Sequence, residues 1–268
     1  MKLKSMTALV SLGLAISIPG SVHAASANFV QNGDFTLVTG GTNGKLGDGT
    51  GLTATDWTNG AGYNFVFNSA TEATTGSGLD LYGGNGFTNS PTGGNFIGLD
   101  GAYPVGNVQG ISQNIGNSTT GFLTVGDSYI LTFYQAAGQQ QGFSGATTDY
   151  FNVSLGNAVL VYPSTGGPNI AIASTTGEPV QVSSTMNNVS GGFVPWTQQT
   201  MVFTATSSQE VLTFLASGTP AGTPPFALLD GVSLVAVPEP SPLIAMVIGI
   251  LGLGLILFKR YRRTNTAK

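Results

Sequence analysis

The sequence predicts an all-β sandwich or jelly roll, on three observations. Short runs of alternating apolar and polar residues recur through the interior, clusters of Gly, Asn, Pro and Ser separate them, and no amphipathic helix of convincing length intervenes. The cleanest run is 150–155, where Phe151, Val153 and Leu155 share one face and Asn152 and Ser154 the other. Similar runs are 63–67, 95–99, 108–115, 129–136, 158–162, 200–205, 211–215 and 226–235. With the two apolar ends set aside, roughly 210 residues remain, which suits one large β domain over 25–236.

The N-terminal element has the layout of a secretory signal. Lys2 and Lys4 precede an apolar stretch over 6–18, Pro19-Gly20 breaks it, and Val22-His23-Ala24 offers a small-residue exit. Cleavage is expected after Ala24. An uncleaved anchor is the alternative, and the shortness of the apolar run speaks against it.

Between the ends, composition excludes several kinds of chemistry. Charged residues are only 7% of the chain, so the surface is polar through Thr, Ser, Asn and Gln. Eleven carboxylates from Asp34 to Asp230 face a single cation, Lys45, giving the domain a formal charge of −10. Such a surface repels phosphate backbones, which argues against nucleic-acid binding. The sole histidine is His23, and there is no cysteine, so the domain has neither His, Cys nor Arg. That removes Ser-His-Asp triads, Cys nucleophiles, His or Cys zinc sites and Arg phosphate clamps. Without disulfides, stability must come from the core or from a bound ion.

The C-terminal element begins with Val237-Pro238-Glu239-Pro240-Ser241-Pro242, a stiff linker that can form neither helix nor sheet ladder. Residues 243–258 are uncharged, and at 1.5 Å each a helix there reaches roughly 24 Å, enough to span with help from its flanks. Lys259, Arg260, Arg262 and Arg263 follow as a membrane stop, which places the domain outside the cytoplasm. A buried core helix explains poorly a segment apolar on every face with a basic exit. Pro238-Glu239-Pro240, a short apolar helix and an Arg-rich tail, in that order behind a signal peptide, resemble the PEP-CTERM sorting signal over 237–268. That resemblance implies an exosortase-type processing enzyme as partner and delivery to the envelope, cell surface or extracellular matrix of an exopolysaccharide- or biofilm-forming bacterium. An ordinary permanent tail anchor is the alternative.

The domain in turn resembles the galactose-binding-like jelly rolls, the group that includes several carbohydrate-binding modules. The likeness rests on Asn32-Gly33-Asp34-Phe35, Asp56-Trp57, the run from Gly126-Asp127 to Thr132-Phe133, and Leu229-Asp230-Gly231-Val232-Ser233-Leu234, in the expected order. Thr36 stands where such domains often have the Glu that ligates a calcium ion. The likeness implies that Trp57 is core.

Candidate site residues follow. Asp230 shares strand parity with Phe226, Leu228, Val232 and Leu234, so it is expected to face the core. Two readings stand: with Asp34 and backbone carbonyls it holds a structural Ca²⁺, or it accepts backbone N–H bonds at a strand bend. Trp196, in a Gly- and Pro-containing loop, is the candidate exposed ligand contact, with Tyr63, Tyr82, Tyr103 and Tyr134 as further stacking surfaces. Gly44-Lys45 is followed by Leu46, not Ser or Thr, so the 40–51 stretch is no phosphate loop and reads, like 138–145, as a polar connection. A glycosidase needs only two opposed carboxylates, and Asp100, Asp127, Asp149 and Glu178 are available, although nothing in their spacing makes them converge. The expected function is that of a non-catalytic exported protein associated with exopolysaccharide. A lectin-like carbohydrate-binding module and a carboxylate-dependent glycan hydrolase are the alternatives.

Overall fold

The computed structural model describes residues 27–41, 44–47, 51–60, 62–68, 80–82, 88–102, 110–161, 171–177 and 180–238. The expected signal helix, the 243–258 span, its basic stop and Glu239-Pro240 lie outside them. Among the described residues no helix is long and apolar enough to cross a membrane.

The strands are β1 (Val38–Thr39), β2 (Gly44–Lys45), β3 (Thr53–Ala54), β4 (Thr58–Asn59), β5 (Asn64–Asn68), β6 (Asn95–Asp100), β7 (Gly110–Ile115), β8 (Ser128–Gln139), β9 (Thr147–Val161), β10 (Ala171–Gly177), β11 (Gln181–Val182), β12 (Met186–Asn188), β13 (Phe193–Thr204), β14 (Glu210–Thr219) and β15 (Pro225–Ala236). They pair antiparallel into two large sheets, one ordered β13-β8-β15-β6-β5-β2 and the other β10-β9-β14-β7-β4 with β11 and β12 also on β9, beside the small β1-β3 pair. The described residues thus form an all-β sandwich of the jelly-roll class that the sequence predicts.

Alternation builds the space between the sheets. Phe151, Val153 and Leu155 of β9, Leu212, Phe214 and Ala216 of β14, and Leu131, Phe133 and Ala137 of β8 all point into one core. Its centre is aromatic: Phe214 meets Phe133 at 5.1 Å, Phe151 at 6.0 Å and Trp57 at 6.3 Å between ring centroids. Trp57 is core, as the resemblance implied, and its Nε1 donates to the Asn32 carbonyl.

A second apolar cluster, Phe65, Phe67, Leu81, Phe96, Ala136, Phe193, Phe226 and Leu228, covers the outer face of the β8-β15-β6-β5 region. That part of the sheet is therefore apolar on both faces, and β6 is buried at every position.

Three sequence expectations are corrected. Residues 150–155 and the described part of the 158–162 run belong to one strand, β9, which continues through Gly156 as far as Val161. Residues 193–196 open β13 instead of forming a loop, because Pro195 falls at an irregularity between Val194 and Thr197 on an edge strand, where a missing N–H is tolerated. Gly44-Lys45, expected in a plain connection, pairs with Val66 and Phe65.

Candidate functional site

Asp230 is buried, but not in the inter-sheet core. A register shift between Asp230 and Ser233, with Gly231 at φ 57°, inserts an extra residue and reverses parity along β15. Ala227, Leu229, Val232 and Leu234 consequently face the core, whereas Phe226, Leu228 and Asp230 face the outer side. There Oδ2 accepts from the Ser90 hydroxyl, from Thr92 Oγ1 at 2.8 Å and from the Thr92 amide at 3.3 Å. Oδ1 accepts from the Gly231 amide at 2.7 Å. Burial raises the Asp230 pKa, and these donors pull against that rise. The arrangement is that of a carboxylate satisfied by hydrogen bonds at a strand bend. As arranged it does not suit a calcium ion, which needs acceptors around it. Asp34 is bonded within its own turn, accepting from Thr36 Oγ1 at 3.1 Å, and among the described residues no three acidic, His or Cys side chains group as a metal site.

Trp196 is half-buried. Its Nε1 donates to the Thr88 carbonyl at 3.1 Å, and its ring stands edge-on to Phe96 at 5.4 Å. Tyr63 borders the same outer cluster with Lys45 Nζ 4.6 Å above its ring, and the Tyr82 hydroxyl donates to the Phe143 carbonyl. Tyr103 and Glu178 lie outside the described residues, as do the sorting and stop residues beyond Pro238, which is exposed.

The structure does bring Asp100 and Asp149 together. Asp149 has the parity of Phe151, Val153 and Leu155, so it points between the sheets, and it is fully buried. Neither of its oxygens has a hydrogen-bond partner, nor has Thr147 Oγ1, two residues earlier on the same face. Asp100, at the end of β6, is also buried, and its Oδ1 accepts from the Ala102 amide at 3.0 Å. Burial holds Asp149 well above the usual carboxylate range, and the nearby Asp100 adds repulsion in the same direction. Burial also pushes Asp100 up to about 6, against the pull of the Ala102 N–H. Asp127, by contrast, sits in the Gly126-Asp127 turn with its backbone bonded to Thr124 and Ala205. Asp149 faces the inter-sheet core and Asp100, paired with Phe226, has the parity of the outer face, so the two do not match a hydrolase's carboxylates, which must flank a sugar.

Because both raised pKa values exceed the ordinary 3.8, the folded chain binds these protons more tightly than the unfolded chain. The resulting stabilisation is complete below the unfolded value and is lost as pH rises through the folded ones. In a chelating buffer the thermal midpoint is expected to rise as pH is lowered from about 7.5 to about 5. A calorimetric midpoint that falls over that interval contradicts the assignment.

The opposite face of the β9-β14-β7-β4 sheet is different in kind. Thr58 pairs with Ser112, Ser112 with Thr213, and Thr213 with Ser154, so four hydroxyl residues form one row across four strands. The row sinks from exposed Thr58 through half-buried Ser112 and Thr213 to buried Ser154, whose Oγ is unpartnered. Beside it Asn152 donates to Ser217 Oγ at 2.9 Å, and Ser217 pairs with Tyr150. Sequence reasoning missed this row because it depends on register between strands far apart in the chain.

No protein-family model matches the chain, and no curated protein matches it in sequence. Solved structures overlay on it at low identity. The enzymatically active domain of bacteriophage CBA120 tailspike protein 4 is 13% identical over 79% of this chain, with a TM-score of 0.35. The arabinose-bound α-L-arabinofuranosidase MgGH51 is 14% identical over 79%, with a TM-score of 0.38. The alignments span 22% and 26% of those two chains. The CBM22-1 xylan-binding domain of Paenibacillus barcinonensis Xyn10C is 13% identical over 81% of this chain and 100% of its own, with a TM-score of 0.35.

Proposed function

We propose that this chain is an exported, non-catalytic protein, sorted through its C-terminal segment, that associates with polysaccharide through the outer face of the β9-β14-β7-β4 sheet. The observation that carries the reading is the row Thr58, Ser112, Thr213 and Ser154, flanked by Asn152, Ser217 and Tyr150. Uncharged hydroxyl and amide groups can exchange hydrogen bonds with sugar hydroxyls without the desolvation cost of burying charge. Tyr150 adds an apolar ring face with a polar tip. A second contact at Trp196 is favoured by its half-exposed ring. The leader and the segment with Pro238, Glu239 and Pro240 supply the export and sorting parts of the proposal, with an exosortase-type enzyme as processing partner.

Native-gel retardation of the full-length chain by soluble xylan and by alginate tests the binding reading. Thr213→Val combined with Ser112→Ala should weaken retardation at least about tenfold, the size expected from two lost hydrogen bonds. Loss through Trp196→Ala with the double variant unaffected moves the contact to Trp196. Absence of retardation by both polymers overturns the binding reading, and release of reducing sugar overturns the non-catalytic one. For sorting, replacing Pro238-Glu239-Pro240 with alanines should leave an unprocessed, membrane-retained product, and normal processing of that variant overturns the exosortase reading.

A further inference from the structure

We propose that Thr147 and Asp149 supply oxygen ligands of a divalent-cation site of the calcium class, at the end of the sandwich where β9 and β14 meet. The inference is independent of the polysaccharide reading and concerns a different place from the Asp34 and Asp230 positions that the sequence suggested.

Asp230 is given four donors, and Glu210 Oε1 accepts from the Thr206 amide, the Thr206 hydroxyl and the Ser207 amide, although its Oε2 is unpartnered. Asp149 is given none, and the Thr147 hydroxyl beside it is equally unpartnered. Buried polar atoms are nearly always satisfied, so three such oxygens on one strand face indicate a partner of another kind. Protein cations cannot supply it: Lys45 is the sole Lys or Arg between the apolar ends, and its Nζ is held over the Tyr63 ring. A proton on Asp149 would remove its charge and supply one donor, whereas one hard cation answers all three oxygens and offsets the repulsion from Asp100.

The backbone is shaped around the same carboxylate. The Gly218 amide donates to the Gly101 carbonyl at 2.8 Å, and Asp149 Oδ1 lies against both glycines. A Cβ on Gly218 would sit 2.6 Å from Oδ1 and 3.0 Å from the Thr148 carbonyl oxygen, and a Cβ on Gly101 would sit 3.1 Å from Oδ1. Two glycines thus leave room for the carboxylate, and the Thr148 carbonyl borders one of them. Carboxylate, hydroxyl and carbonyl oxygens in an irregular set are calcium chemistry rather than zinc or copper chemistry. A cleft of about 250 Å³, lined by Thr147, Thr148, Asn187, Asn188, Thr219 and Pro220, borders Thr147.

The test is thermal unfolding of the full-length chain at neutral pH, first in chelator and then with Ca²⁺ added back. The midpoint is expected to rise by about 5–10 °C at a hundredfold excess over the dissociation constant. Asp149→Asn keeps the shape and removes the charge, so it should fold in chelator and lose the Ca²⁺ response. Asp34→Asn and Asp230→Asn should retain that response. Thr147→Val removes one ligand and should weaken Ca²⁺ affinity at least about tenfold, and it serves as the deciding variant if Asp149→Asn does not fold. A wild-type midpoint indifferent to Ca²⁺, or a response that Asp149→Asn or Thr147→Val leaves intact, overturns the site.

Discussion

Replacing Phe214 with alanine is expected to lower unfolding free energy by about 3–5 kcal/mol, read as a lower denaturant midpoint with an unchanged slope. Phe214 is fully buried on β14 and stands edge-on to Phe133 at 5.1 Å and to Phe151 at 6.0 Å, with Trp57 tilted against it at 6.3 Å. Phe133 belongs to β8 in one sheet, Phe151 to β9 in the other, and Trp57 to the segment ahead of β4. One truncation therefore removes contacts from both sheets at once. Trp57 is tied by its Nε1 to the Asn32 carbonyl, and Phe133 and Phe151 sit in long paired strands, so the surroundings cannot close over the cavity. With no disulfide to limit the unfolded chain, the loss falls directly on folding. Phe122, 57% exposed, is the control: Phe122→Ala should change stability by less than about 0.5 kcal/mol. Equal losses for the two variants would contradict the placement of the core.

The strands were legible where one face of a sheet is apolar and the other polar. Residues 150–155 alternate because β9 has the aromatic core on one side and the polar outer face on the other. Extending that alternation backwards to Asp149 and Thr147 places both between the sheets, so the signal for the buried pair was present in the sequence. Its partner was not: Asp100 ends a strand that is apolar on both faces, where periodicity carries no sense of direction. The facing of Asp230 was misread for a related reason. A single inserted residue at Gly231 reverses parity within β15, and counting by twos cannot detect it. Pro195 misled in the opposite way, since a proline that looks like a loop residue is compatible with the edge position of β13. The hydroxyl row was illegible because Thr58, Ser112, Ser154 and Thr213 are joined only by register.

The two sequence landmarks at opposite ends of the domain, Asn32-Gly33-Asp34-Phe35 and Leu229-Asp230-Gly231-Val232, lie directly on one another, and Gly33 is where they touch. The Val232 amide donates to the Gly33 carbonyl at 2.9 Å, and a Cβ on Gly33 would sit 2.0 Å from the Val232 carbonyl oxygen. Gly33 is not among the residues with positive φ, so the requirement is one of space and any side chain meets the same backbone. The turn cannot easily retreat. Asn32 donates to the Leu37 and Thr55 carbonyls and accepts from the Leu37 amide, and Phe35 is buried 5.3 Å from Trp57. Gly33→Ala must therefore push the turn off β15, break the Val232 bond and disturb the packing of Phe35, at a cost of about 3 kcal/mol or more. Hydrogen exchange gives the specific readout. The Val232 amide should lose protection well beyond the global loss, whereas the Phe203 and Leu212 amides, on strands away from the contact, should follow global stability. Full protection of Val232 in a stable Gly33→Ala protein would mean that the N-terminal turn does not rest on the last strand.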